Sequence, residues 1–291
     1  METLAYFLKG LSRETNLFKN YFCTFHLKTQ EKKWTKTIQS ERVICFNDVL
    51  LPNIYTQIKY ANIIPGVFEE SFFIFLYFND DYNPKNFHCV EKILQESPYC
   101  YTDAQCNVVV QENDVVIDAG AWIGDFSAYA AYKKAIVYAF EPGNSSYELL
   151  EKTALLHNRI IPVKSGLSNN TSTAYMKNNR DDGIANTVIG ESDITNEHEV
   201  EEIQLTTIDD FVKENNLQKV DFIKADIEGF ERYMLLGAKE TLKKFAPKLV
   251  ICTYHLPDDK EVLRNIIVEA NPDYTIIQKK GKLFAQVIKD E

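Results

Sequence analysis

From Asp114 to the end of the chain, short runs of β-branched and aromatic residues alternate with amphipathic stretches of helical period. That alternation is the pattern of a mainly parallel sheet covered by helices on both faces, so it predicts an α/β fold. The first run, Val115 to Ile117, leads into the glycine turn of DAGAWIGDF and then a helix from Phe126 to Tyr132. The second, Ile136 to Phe140, ends at Glu141 and Pro142, and Ser145 and Glu148 follow at the spacing of a capping box. A third run, Ile160 to Lys164, ends at Ser165 and Gly166. Ser172 to Lys177 and Glu201 to Leu205 then predict a hairpin. Its long acidic connection reads equally as a functional lid or a mobile loop. Val220 to Ala225 and Lys248 to Tyr254 predict two further strands, with one helix between them from Phe230 to Phe245. Tyr274 to Lys279 and Leu283 to Ile288, joined by a short turn, have to run antiparallel. Residues 106–291 therefore make one domain, and residues 1–105, with weak periodicity, a smaller accessory region of unassigned fold.

Ligands of such sheets bind outside the carboxyl ends of the strands, so the residues that end the strands are the candidates. Gly120 lets the chain turn tightly, and Gly124 permits close packing where the next helix begins. A dinucleotide fingerprint needs a further glycine where Trp122 stands, because the backbone there must approach a pyrophosphate. S-adenosylmethionine has no phosphate and makes no such demand. Glu141 lies 23 residues after Asp118, where an acid can accept both ribose hydroxyls. The competing readings are a plain strand-to-helix turn for the glycines and a surface helix-start acid for Glu141. Asp118 either supports the turn or holds the amino-acid portion of the cofactor. Lys224 and Asp226, two apart on one strand, face the same way and either form a structural ion pair or place Asp226 beside the reacting methyl. His255, at the end of the next strand, is the candidate general base, since its ordinary pKa lies near neutrality. Its alternative is a hydrogen-bonded strand-end histidine. Asp226, Glu228 and His255 could together bind a divalent cation, but no local spacing demands it and no metal is assigned. The candidate set is thus Asp226, Glu228 and His255 for catalysis, with Asp118, Gly120, Gly124, Glu141, Ser165 and Asp226 at the cofactor.

Composition narrows the acceptor. A net charge of -10, with no compensating basic stripe, opposes nucleic acid as a partner. Cys23, Cys45, Cys89, Cys100, Cys106 and Cys252 are scattered, without zinc-knuckle spacing, and read as reduced and mostly buried. The start of the chain does not resemble a signal peptide, so a cytoplasmic protein is expected. The most apolar run, Phe72 to Phe78, is far short of the roughly 20 residues of a membrane span.

The segments VVIDAGAWIGDFSAYAA, YAFEP, TTIDDF, DFIKADIEGFE and HLPDD, spread over residues 98 to 288, together resemble the FkbM family of methyltransferases. The resemblance implies a Rossmann-like class I domain, a mainly parallel seven-stranded sheet closed by an antiparallel hairpin, with S-adenosylmethionine as methyl donor. It further implies O-methylation of a hydroxyl on a sugar, glycan or other natural product, a small-molecule or glycan partner that is compatible with a homo-oligomer. By position, Asp118, Gly120 and Glu141 carry over as cofactor contacts, and Asp226, Glu228 and Glu231 as the family's acidic signature. Trp122 falls at a variable position and carries no assigned role. Two rivals remain: an NAD-dependent oxidoreductase, disfavoured by the missing glycine and the antiparallel ending, and a catalytically silent Rossmann-like binding module.

Overall fold

A computed structural model of the protein describes residues 35–38, 41–46, 49–52, 99–104, 106–177, 187–189, 200–279 and 281–288. The Phe72 to Phe78 run, Cys23, Cys89 and most of the acidic insertion lie outside those residues. Strands β1 (Thr35–Ile38), β2 (Glu41–Phe46) and β3 (Val49–Pro52) form an antiparallel sheet, and β4 (Tyr101–Thr102) pairs with β5 (Asn107–Val108).

The β-α alternation then builds the main layer. In chain order it comprises β6 (Val115–Ala119), α1 (Asp125–Tyr132), β7 (Ile136–Phe140), α2 (Asn144–Leu155) and β8 (Ile160–Val163). A small sheet follows, made of β9 (Gly166–Leu167), β10 (Ser172–Lys177), β11 (Thr187–Ile189) and β12 (Val200–Thr206). The chain returns through α3 (Ile208–Glu214), β13 (Phe222–Ala225), α4 (Glu231–Leu236), α5 (Lys239–Phe245), β14 (Lys248–Cys252) and α6 (Asp259–Ala270). It ends in β15 (Tyr274–Lys279) and β16 (Lys282–Val287).

The main sheet has seven strands in the order β15-β16-β14-β13-β6-β7-β8. The strands from β14 to β8 run parallel, and β16 inserts antiparallel between β14 and β15, as the sequence predicts. Because successive residues of a strand face opposite ways, Val116 and Phe222 join one core with Phe126 of α1 and Leu150 of α2. Ile117 and Ile223 join a second core with Met234 of α4, Leu242 of α5 and Leu263 of α6. Tyr99, Cys106 and Val108 pack into the first of these cores, so the segment around β4 and β5 covers that face beside α1. β3 lies against α1 and α2.

Three local expectations are corrected. Helix α2 begins at Asn144 with Gly143 as its cap and no side-chain cap bond, so Ser145 and Glu148 form no capping box. The helix expected over 230–245 is two, broken at Gly237 and Ala238. A Cβ on Gly237 would lie 2.1 Å from the Ser168 carbonyl oxygen, and this close approach occupies the break. The insertion after β10 contributes a strand of its own, since β11 pairs antiparallel with β10 on the edge opposite β12.

Candidate active site

The strand order reverses between β6 and β13, which opens a crevice at their carboxyl ends. Gly120 sits in that crevice at φ +72, and a Cβ there would come within 2.0 Å of the Asp226 carbonyl oxygen. Only glycine allows the turn after β6 to approach β13 so closely. Gly124 caps α1 at φ +84 with Leu150 of α2 only 2.8 Å from where its Cβ would be, as the packing argument requires.

Asp118 and Lys224 are direct cross-strand neighbours of β6 and β13. Their side chains meet at 2.9 Å and are 0% and 4% exposed. Of the two readings of Lys224 and Asp226, the close ion pair between them is not formed: Lys224 takes Asp118 as its ion-pair partner and acts on Asp226 at longer range. The Lys224 ammonium also donates to the carbonyls of Gly120 (2.6 Å) and Ala119 (3.3 Å), and Ser127 of α1 donates to Asp118 at 2.6 Å. Burial pulls the Lys224 ammonium down, but Asp118 and Asp226 outweigh it and hold it at about 12. Asp118 is therefore walled in beneath the glycine turn and supports that turn through Lys224.

Glu141, at the end of β7, accepts the backbone N–H groups of Trp122 and Gly143, each at 3.0 Å. It thereby fixes Trp122 at the left-handed φ of 48 and spans the mouths of β6 and β7. Burial pushes its carboxyl up to about 7, against the lowering effect of those two bonds. Asp125, which the sequence reading passed over, is likewise pushed up to about 6 by burial beside this turn. Ser165 is buried with its hydroxyl 3.1 Å from the Gln204 carbonyl, tying the end of β8 to β12.

On the other side of the crevice six side chains converge. Asp226 accepts the hydroxyls of Tyr99 and Tyr254, each at 2.7 Å. Although burial raises its carboxyl, Lys224, Tyr254, His255 and Tyr99 hold it below the usual carboxylate range. His255 Nε2 lies 3.4 Å from Asp226 and 3.5 Å from Glu228, while its Nδ1 lies 2.9 Å from Glu231. Burial opposes the charged ring, but Glu231, Asp226 and Glu228 together carry its pKa to about 9. These three carboxylates favour the charged ring, which runs against the general-base role expected from its ordinary pKa.

Glu231 is fully buried and accepts the N–H groups of Ile227 (2.8 Å) and Gly229 (3.0 Å). It clamps a loop in which Glu228 takes a left-handed φ of 55. A non-glycine residue in that region is strained, and such strain gathers at functional sites. Besides Asp125, sequence reasoning missed Tyr99 and Tyr254. Tyr254 had a signal, its place beside His255 just past β14, whereas Tyr99 lay in a region without pattern.

A family model described as "Methyltransferase FkbM domain" matches residues 118–282, more than half of the chain and every residue of the site but Tyr99. The chain belongs to the FkbM methyltransferase family. This FkbM protein is a methyltransferase, and it is similar to Methyltransferase sdnD of Sordaria araneosa, 26% identical over 204 residues that cover 59% of this chain and 70% of that relative. It is also similar to the Hexuronic acid methyltransferase AglP of Haloferax volcanii, 27% identical over 161 residues that cover 55% of this chain and 64% of that one. A crystal structure of Methyltransferase FkbM from Methylobacillus flagellatus superposes with a TM-score of 0.48 at 22% identity, covering 83% of this chain and 62% of that one. The match thus spans less than two thirds of the last two proteins. Among the described residues, no helix is long and apolar enough to cross a membrane.

Proposed function

We propose that the protein transfers the methyl group of S-adenosylmethionine to a hydroxyl of a sugar, glycan or related natural product. The observation that carries this reading is the convergence, at the carboxyl ends of β6, β7, β13 and β14, of a glycine turn, a ribose-type acid and a polar cluster around Asp226. Glu141, its oxygens oriented by two backbone donors, takes the ribose hydroxyls. Gly120 and Gly124 shape the turn against which the cofactor lies, and Asp118 positions that turn through Lys224 rather than by contact. Ser165 borders the cofactor site beyond β8.

Asp226, Glu228 and His255 face the acceptor, with Glu228 the most exposed of the three at 37%. Methyl transfer is an in-line displacement. The new O–CH3 bond forms as the C–S bond breaks, sulfur keeps the electron pair, and the hydroxyl proton leaves to the polar cluster. Catalysis of this kind rests mostly on holding the two reactants in line, so few dedicated groups are needed. The name of the Haloferax relative, a hexuronic acid methyltransferase, supports a sugar-type acceptor.

Calorimetric titration with S-adenosylmethionine, S-adenosylhomocysteine and NAD in parallel tests the donor. Micromolar binding of the first two without NAD is expected, and binding of NAD alone would refute the assignment. A screen of glycoside hydroxyls with labelled donor then identifies the acceptor.

A further inference from the structure

The first two residues of α4 grip the chain on both sides of the site. Glu231 holds the loop before it, through the N–H groups of Ile227 and Gly229, and meets His255 Nδ1 at 2.9 Å. Arg232 reaches the other way, to the segment that joins β14 to α6. Its Nη2 donates to Asp258 at 2.7 Å and to Asp259 at 2.8 Å. Asp258 is 59% exposed, so water screens its share, whereas Asp259 is 1% exposed. The second oxygen of Asp259 accepts the Leu256 N–H at 2.8 Å, and the Asp259 N–H donates to the Leu256 carbonyl. Leu256 and Asp259 thus close a tight loop directly after His255, and Arg232 pins that loop to α4. Stability alone explains this pair poorly. Asp258 stands at the cap of α6 yet makes no side-chain cap bond, so its carboxylate serves Arg232 in place of the helix. Among the described residues, Arg232 Nε is buried with no hydrogen-bond partner, and a buried donor left so is costly.

We propose that Arg232 is a positioning residue of the acceptor site: it fixes the loop after β14 so that the His255 ring stays between Asp226 and Glu228. Nε2 stands 3.4 Å from Asp226 and 3.5 Å from Glu228, at the outer edge of hydrogen-bond reach, so these contacts do not hold the ring by themselves. The close polar contact of the ring is Glu231, at 2.9 Å, and one contact leaves a ring able to swing about it. The backbone that follows His255 has to supply the second fixed point, and Arg232 anchors that backbone through buried Asp259. That the ring so held faces the acceptor rests on the methyltransferase reading above; that Arg232 holds it does not.

Isotope-labelled histidine in the full chain lets the titration of His255 be followed by NMR, with its signal assigned by its loss in His255→Gln. Among the described residues, the titratable groups that face the ring are Asp226, Glu228, Glu231 and Tyr254. The three carboxylates carry it to about 9 from an ordinary 6.5. In Arg232→Met the ring should leave their grip and titrate at least about one pH unit lower. Charge alone predicts the opposite, since losing a cation and uncovering Asp259 would raise the value. Arg232→Lys restores the cation and should bring the titration most of the way back. Circular dichroism melting shows whether each variant is folded; should Arg232→Met fail to fold, Arg232→Gln, which keeps a donor for Asp259, decides by the same criterion. An unchanged or raised His255 titration in the folded neutral variant, even with a lower melting temperature, marks a merely structural pair and overturns the proposal. So does a lysine variant that titrates like the methionine one. S-adenosylhomocysteine titrated calorimetrically into the wild type separates the two readings. Its binding beside an unmoved histidine sinks the role of Arg232 alone, and a lowered histidine without such binding sinks the donor assignment alone.

Discussion

Replacing Lys224 with methionine tests how the glycine turn is held. The side chain is buried at 4% exposure, and methionine nearly matches its length without the charge. The ammonium is held at about 12 against an ordinary 10.5, a preference for the charged form worth about 2 kcal/mol. The substitution forfeits that and also leaves fully buried Asp118 without its counter-ion, with the Ser127 hydroxyl as its remaining partner at 2.6 Å. Breaking one side of a buried pair costs about 3–5 kcal/mol, so the larger figure governs. Urea unfolding followed by far-ultraviolet circular dichroism should show that loss, and adding Asp118→Asn should return about 2 kcal/mol or more. A raised ammonium pKa contributes stability in full below its ordinary value and loses it as pH rises through about 12. The penalty of Lys224→Met should therefore be flat from about pH 7 to about pH 9. A loss below about 1 kcal/mol, or a double variant no more stable than the single one, would refute the idea that this pair is the anchor.

Glu141→Gln should weaken S-adenosylhomocysteine binding by about 1–3 kcal/mol in calorimetry, since the amide presents a donor to one of the two backbone N–H groups and loses the charge. Because the Glu141 carboxyl sits at about 7, above its ordinary 4.5, wild-type affinity should tighten as pH rises through neutrality. The same raised value means that its contribution to the ligand-free fold is present below the ordinary pKa and lost through about 7; an identical affinity slope in the glutamine variant would contradict the ribose role. Glu228→Gly relieves a left-handed residue, so it should raise stability by about 1 kcal/mol in urea while abolishing turnover. A variant that is no more stable would show that the loop carries no strain.

The sheet was legible because its information is local. Each strand is a contiguous run, each connection is helix-length, and the turn between Lys279 and Lys282 leaves β15 and β16 no arrangement but antiparallel. The site was legible only at strand ends that polar residues mark. Asp226, Glu228 and His255 do come together, although their positions span two strands. Pairing across the sheet was hidden. Lys224 and Asp226 are close in sequence, but the register of β13 against β6 sets Lys224 opposite Asp118, which no spacing along one strand reveals. The capping box failed for a related reason: Glu141, two residues upstream of the cap, already takes the Gly143 N–H that begins α2. Likewise, nothing near Gly237 announces the Ser168 carbonyl that packs against it from another part of the chain.

Tyr99 precedes β6 by sixteen positions, yet its hydroxyl is one of the two that grip Asp226. Anyone grafting the sheet of this enzyme onto a relative's leading segment inherits that dependence. A chimaera joined immediately before β6 would discard the tyrosine and free one oxygen of the central carboxylate, whereas a junction upstream of Tyr99 would carry the grip across with the sheet.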